Sequence, residues 1–357
     1  MNRKSIGYTF IAVALLFLCV QADAKNPPEN IILMISDGCG YNHILCTDFY
    51  QYGKANSQVY ADFPVVLAMS TYPLDGMEYN PEKVWSDLEW GKKKVTDSAA
   101  SATAIATGFK TLNRRIGVDK YDTRHQTILE RAEALHKGSG VVTSVQISHA
   151  TPAGFIAHHP DRNEYEIIAQ QMLMASEVDV IMGCGHPYYD HNGQKKSSQY
   201  NYTYVGGKAV WNELLNKKPF SDSDHDGEND PWHLIQERKA FKKLMRGNTP
   251  KRVLGLAQAE KTLNYNRDGD EKEIPYEAPR LETVPTLAEM SKAALNVLDE
   301  NKKGFFLMIE GGAIDWASHG NHLGRMIEEQ IDFNHAVEAV VDWVEKNSSW
   351  KETLVII

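Results

Sequence analysis

Cysteine is scarce in this chain: Cys19, Cys39, Cys46 and Cys184 are the only four in 357 residues. Cys19 falls in a leader-like segment, so three remain beyond it. An odd number excludes a complete disulfide framework, and at most one bridge is expected. Positive charge is also in deficit, with 38 Lys and Arg against 47 Asp and Glu and a formal net charge of −9. That balance argues against a general nucleic-acid binder. There is no internal repeat, and beyond residue 24 there is no apolar run long enough to cross a bilayer. The one long apolar run, residues 11–20, follows Arg3 and Lys4 and precedes Ala22-Asp23-Ala24. This is the layout of a secretory signal peptide over residues 1–24. Leu18, ahead of Cys19, is too large for a lipoprotein site. Removing the leader moves the formal charge from −9 to −10. The expected product is an exported, periplasmic or secreted chain with no membrane span.

The length allows one large domain with a full core. Short apolar runs end in chemically capable residues. Residues 31–36 run into Asp37-Gly38, residues 141–147 into His149 and Thr151, and residues 304–309 into Glu310-Gly311-Gly312. Amphipathic helical patterns lie between them, over residues 127–136, 286–298 and 325–344. Alternating strands and helices predict an α/β fold: a three-layer αβα sandwich around a mostly parallel sheet. Ligands gather at the carboxyl ends of such strands. The stretch from about 188 to 230 is polar and reads as an insertion on the rim. A second polar connection spans residues 264–280. Residues 353–357 read as a buried strand with no cap or polar tail, which predicts a C-terminal part missing from this chain.

Thr96-Asp97-Ser98-Ala99-Ala100-Ser101-Ala102-Thr103 is the most unusual segment. Small residues over more than a turn bury little by themselves. The pattern suits a helix starting at Ser98 with nothing bulky beside its N-terminus, where backbone N–H groups favour an anion. A serine there can attack a phosphate if something ionises it. Alone, the octapeptide reads equally well as a solvent-facing helix with an Asp/Ser cap. Asp315 and His319 stand four apart, on one helical face, a spacing suited to one metal ion. Asp-x-x-x-His is common by chance, but Glu310 five residues earlier strengthens it.

Four motifs then occur in order: residues 30–40 with Asp-Gly-x-Gly, residues 96–108, residues 149–162 with Ala-Thr-Pro-Ala and Arg162, and residues 310–319 with Glu-Gly-x-x-Ile-Asp-x-x-x-His. Together they resemble the alkaline phosphatase family from about residue 29 to the end. The resemblance implies metal-dependent hydrolysis of small phosphate monoesters. Ser98 matches the nucleophile that becomes phosphoserine, Arg162 the arginine holding two phosphate oxygens, and Asp97 the aspartate positioning that arginine. Asp37 matches the carboxylate bridging the second zinc and a third, magnesium-type site. Thr151 and Glu310 match further ligands of that third site, and Asp315 and His319 two ligands of the first zinc. The implied cofactors are two Zn²⁺ and one Mg²⁺. Two zinc ions about 4 Å apart would neutralise a dianion and stabilise entering and leaving oxygens. Dimers are common in that family, which leaves a homodimer open.

The chain also departs from the family pattern. Some members carry Asp and Lys where His149 and Trp316 stand. An imidazole at or beside the third metal favours Zn²⁺ or another transition metal over Mg²⁺. The family's remaining zinc ligands, an Asp-His pair and a further His, would follow residue 357. The 357-residue form is therefore expected to have little activity and the complete chain to be active. The competing expectations are a non-catalytic phosphate- or metal-binding remnant, or a sulfatase, phosphodiesterase or phosphomutase relative. Asp97-Ser98-Ala99 and Arg162 disfavour the relatives. Asp222-Ser223-Asp224-His225-Asp226-Gly227 opens like a calcium loop, but His233 replaces the twelfth-position Glu, so a solvated acidic loop is expected. His158, His159 and His322 are expected to be structural, and Cys39 a packing residue.

Overall fold

The computed structural model describes residues 27–357 apart from 88, 94, 272 and 273, so the signal-peptide segment 1–24 lies outside the described residues. The strands are β1 (Asn30–Ser36), β2 (Gly138–Gln146), β3 (Val180–Cys184), β4 (Pro219–Ser221), β5 (Asp230–Pro231), β6 (His233–Ile235), β7 (Val253–Leu256), β8 (Phe305–Gly311) and β9 (Thr353–Ile356). Seven form one sheet in the order β6-β7-β3-β2-β8-β1-β9. Every pairing within it is parallel. β4 and β5 make a separate antiparallel ribbon.

The strand period of two sorts side chains into two cores. Phe305, Leu307 and Ile309 of β8 pack with the helices Leu287–Leu298 and Leu323–Asn347. Phe306 and Met308 pack on the other face, with Leu129, Phe155, Ile168 and Trp211. Local signals start the helices. Thr127 and Glu130 form a capping box before Ile128–Ala134, and Thr286 and Glu289 another before Leu287–Leu298.

Two readings of the sequence need correction. The small residues after Ser98 are not a weakly packed run: Ala99, Ala100, Ala102, Thr103 and Ala106 of the helix Ser98–Thr107 are buried. They are small because the helix Ala150–Ile156 packs closely against them. A Cβ at Gly154 would lie 2.7 Å from the Ala102 Cβ. The stretch 188–230 is only partly rim, since it contains the helix Gly207–Leu215, whose Trp211 is fully buried. Residues 353–356 form the strand β9 where the sequence placed one, paired in parallel with β1. Cys39, Cys46 and Cys184 are free thiols.

The close approach of the two helices makes a specific demand. Gly154→Ala is expected to cost about 1–3 kcal/mol by overpacking, read as a lower midpoint in denaturant unfolding. An unchanged midpoint would show that the contact yields without cost.

Candidate active site

β2, β8 and β1 are neighbours, so their carboxyl ends deliver Glu310, Asp37 and the His149 turn to one place. The Asp37 amide donates to the Gly311 carbonyl at 3.3 Å, tying the two strand ends together. Gly38 follows with φ +66, and a Cβ there would sit 2.7 Å from Asp315 Oδ1. A side chain is therefore excluded both by backbone conformation and by the approach of Asp315. Asp315 and His319 share the helix Ala313–His319, with Oδ1 and Nε2 3.4 Å apart.

Ser98 opens its helix as expected, with Asp97 as N-cap. The Ser98 hydroxyl donates to Asp37 Oδ2 at 2.9 Å. Asp97 is fully engaged. Its Oδ1 accepts from the Ala100 amide at 2.9 Å, and its Oδ2 accepts from the Arg114 amide at 2.9 Å and Arg162 Nη1 at 3.2 Å. Arg162 Nη2 reaches His149 Nε2 at 3.4 Å. Burial, reinforced by Arg162, pushes the His149 imidazole down to about 3, so it stays neutral. Trp316 meets the same ring edge-on, with centroids 5.4 Å apart.

Three carboxyls crowd this shelf and resist ionisation. Burial, with Asp315 beside it, raises Asp37 to about 6. Burial, with Asp37 beside it, raises Glu310 to about 8. Burial also raises Asp315, while His319 and Arg162 pull it back. Thr143 donates a hydrogen bond to Glu310 Oε2. Thr151 lies beside Glu310 and draws its carboxyl down, yet Glu310 Oε1, Thr151 Oγ1 and His149 Nδ1 are buried without a hydrogen bond of good geometry. Buried polar atoms are rarely left in that state. This donor set fits a divalent cation. Oxygen-rich Asp37, Glu310 and Thr151 suit a hard ion, and Asp315 with His319 suits zinc.

Ser98, Asp97, Arg162, Asp37, Glu310, Asp315, His319 and His149 are thus linked by contact or charge, with Thr151 two residues on from His149 and beside Glu310. The other candidates lie apart. His158 is held by the Gly117 carbonyl at 2.7 Å and Glu130 at 2.9 Å, and His322 by the Tyr265 hydroxyl at 3.2 Å. His159 Nδ1 accepts from the Asp161 amide at 3.1 Å. Asp222, Asp224 and Asp226 do converge, but Lys251 bridges Asp224 and Asp226. A cavity of about 610 Å³ lined by Arg124, Glu130, Glu133 and Glu177 contains none of the site residues.

Sequence reasoning missed two supports. His43 Nε2 meets the Ser318 hydroxyl at 3.0 Å and its Nδ1 accepts from the Gly40 amide at 3.1 Å, docking the loop after Asp37 on the Asp315 helix. Asn113 and Arg114 wrap Asp97, the Asn113 Oδ1 accepting from the Asp97 amide and the Arg114 amide donating to Asp97 Oδ2. Neither carries a motif, because contacts so distant in sequence leave no spacing to read.

A parallel sheet with serine, arginine and crowded carboxyls at its strand ends defines an α/β protein able to hold an anion beside cations. The family model described as alkaline phosphatase matches residues 28–357, and the chain belongs to that family. It is 33% identical over 343 residues to alkaline phosphatase 4 of Bacillus subtilis, covering 92% of this chain and 60% of that protein. It is 30% identical to the Escherichia coli alkaline phosphatase, covering 94% and 70%. The crystal structure of a cold-active alkaline phosphatase from a psychrophilic Shewanella superposes with a TM-score of 0.66 at 30% identity, covering 91% and 66%. The chain spans about 60% of the length of the Bacillus relative.

The raised carboxyls set a sign for pH dependence. The folded, metal-free chain keeps protons on Asp37 and Glu310 at pH values where the unfolded chain has lost them. Its stability therefore falls as pH rises from the ordinary carboxylate range through about 6 and 8. A cation favours the ionised forms and reverses this. Added Zn²⁺ should raise the melting temperature of chelator-treated protein more at pH about 8 than at about 5. An equal shift at both pH values would contradict the carboxylate account.

Proposed function

We propose that the protein hydrolyses small phosphate monoesters through a phosphoserine at Ser98. The observation that carries this reading is the Ser98 hydroxyl, at a helix start, bonded to Asp37 at 2.9 Å, while Arg162 is steered by Asp97. The helix N-terminus supplies positive potential for the phosphoryl group. Arg162 offers a planar guanidinium to two phosphate oxygens, and Asp97 fixes its orientation. Asp37 accepts the serine hydrogen bond and keeps Oγ directed at the site. In the first displacement the Ser98 Oγ–P bond forms, the ester P–O bond breaks, and the proton lost by the serine hydroxyl is matched by one gained by the departing alcohol. In the second, water attacks phosphorus, the Oγ–P bond breaks, and Ser98 regains a proton as inorganic phosphate leaves, so two in-line steps give net retention. His149, neutral beside Arg162, leaves that guanidinium charge free for the anion.

The reading includes metal cofactors. Asp315 and His319 would hold one zinc, and Asp37 and Ser98 part of a second. Glu310, Thr151 and Asp37 would hold a third ion, with His149 and Trp316 beside it shifting preference from Mg²⁺ toward Zn²⁺. When bound, such ions neutralise phosphoryl charge and lower the pKa of hydroxyl and water ligands. Export follows from residues 1–24. Among the described residues no helix is long and apolar enough to cross a membrane.

Hydrolysis of p-nitrophenyl phosphate by the zinc- and magnesium-loaded full-length natural protein tests the reading. Ser98→Ala should lower kcat by about 10³-fold or more, without lowering phosphate affinity comparably. A variant that keeps its turnover would remove Ser98 from the mechanism. Phosphate binding without any turnover in the unmodified protein would favour a non-catalytic holder.

A further inference from the structure

Arg114 lies in the turn after the serine helix with a left-handed backbone, φ 77. That conformation is disfavoured for a residue with a Cβ, and glycine adopts it freely. The strain coincides with an unusual set of contacts. The Arg114 amide donates to Asp97 Oδ2 at 2.9 Å. Its carbonyl accepts from the Arg162 amide at 2.7 Å. Its Nη2 donates to both oxygens of Asp161, the residue before Arg162, at 2.9 and 2.8 Å. Asn113 secures the same turn, taking the Asp97 amide on Oδ1 at 3.0 Å and donating from Nδ2 to the Val95 carbonyl at 2.8 Å. One residue thus grips both members of the Asp97–Arg162 pair.

We propose that Arg114 is a positioning residue for the phosphate clamp. Its left-handed backbone sets the spacing between Asp97 and the Arg162 main chain, and its guanidinium, latched on Asp161, keeps residues 161–162 against that frame. The inference rests on the reading of Arg162 as the phosphate-holding side chain. The latch is solvent-facing, with Arg114 56% and Asp161 36% exposed. Its strength is therefore modest and screened by salt. Side-chain loss and backbone loss are separable. Arg114→Gly keeps the turn and removes the latch. Asp161→Asn removes the charge while its side-chain oxygen can still accept from the Asn163 amide, which now donates to Asp161 Oδ1 at 2.9 Å. Arg114→Lys keeps a charge.

The test uses calorimetric binding of inorganic phosphate to zinc- and magnesium-loaded protein, steady-state kinetics, and hydrogen exchange at the Arg162 amide by NMR. Arg114→Gly and Asp161→Asn should each weaken phosphate binding about 3- to 10-fold, with the loss shrinking at high salt. The double variant should lose no more than either single one. KM should rise by a similar factor while kcat changes less than about twofold, and Arg114→Lys should recover most of the loss. The Arg162 amide should exchange at least about fivefold faster in both latch variants, while the melting temperature holds, because the latch is solvent-facing and, in Arg114→Gly, glycine also relieves the left-handed strain. In an Arg162→Ala background, Arg114→Gly should leave phosphate affinity unchanged. A persisting effect there would mean that Arg114 contacts phosphate itself and would overturn the positioning role, as would unchanged Arg162 exchange. Failure of the unmodified protein to bind phosphate would sink the phosphatase reading, and the exchange measurement would still decide the latch.

Discussion

Three carboxyls, Asp37, Glu310 and Asp315, are forced onto one shelf, and that crowding of like charge is the constraint on which the site depends. Left alone it is unfavourable, and burial with mutual repulsion holds Asp37 and Glu310 well above the usual carboxylate range. The parallel sheet imposes the arrangement. β8 lies between β2 and β1, so Glu310 cannot be moved from Asp37 without breaking the register Ile35↔Glu310. Gly38 then lets the Asp315 helix close over the strand end. Such an assembly makes physical sense around cations, and the buried Glu310, Thr151 and His149 atoms without a hydrogen bond of good geometry point the same way.

Around this acidic centre stands a second, basic tier. Arg162 is the cation the chain itself supplies, and Asp97 divides its two oxygens between capping the serine helix and orienting that guanidinium. One carboxylate therefore couples the direction of the helix start to the place of the Arg162 guanidinium. The small residues of the helix Ser98–Thr107 serve the same end from behind. They let the helix Ala150–Ile156, which carries Thr151, pack close enough to bring both helix starts to the shelf.

Much of this was legible in the sequence, for identifiable reasons. Asp97-Ser98 announced a helix start through capping chemistry, and Asp315 with His319 announced a shared face through helical spacing. Strand ends were visible where an apolar run met Asp37 or Glu310. Other features were not. β3 and β7 are short and buried, without alternation to mark them, and β6 is three residues long with only Ile235 buried. The alanines after Ser98 resemble a loose surface helix until Gly154 is placed against Ala102. Arg114 acts through its main chain and a positive φ, which residue type does not reveal. Trp211 sits in a polar stretch whose composition conceals the buried face of its helix.

The central claim is that Ser98 carries the phosphoryl group between the two displacements. Its most direct test is rapid acid quenching of the metal-loaded protein during turnover of a phosphate monoester, followed by peptide mass spectrometry. The account predicts a phosphoryl group on the peptide containing Ser98, localised by fragmentation to that residue. Turnover with no phosphorylated Ser98 trapped, or with the phosphoryl group on another side chain, would contradict it.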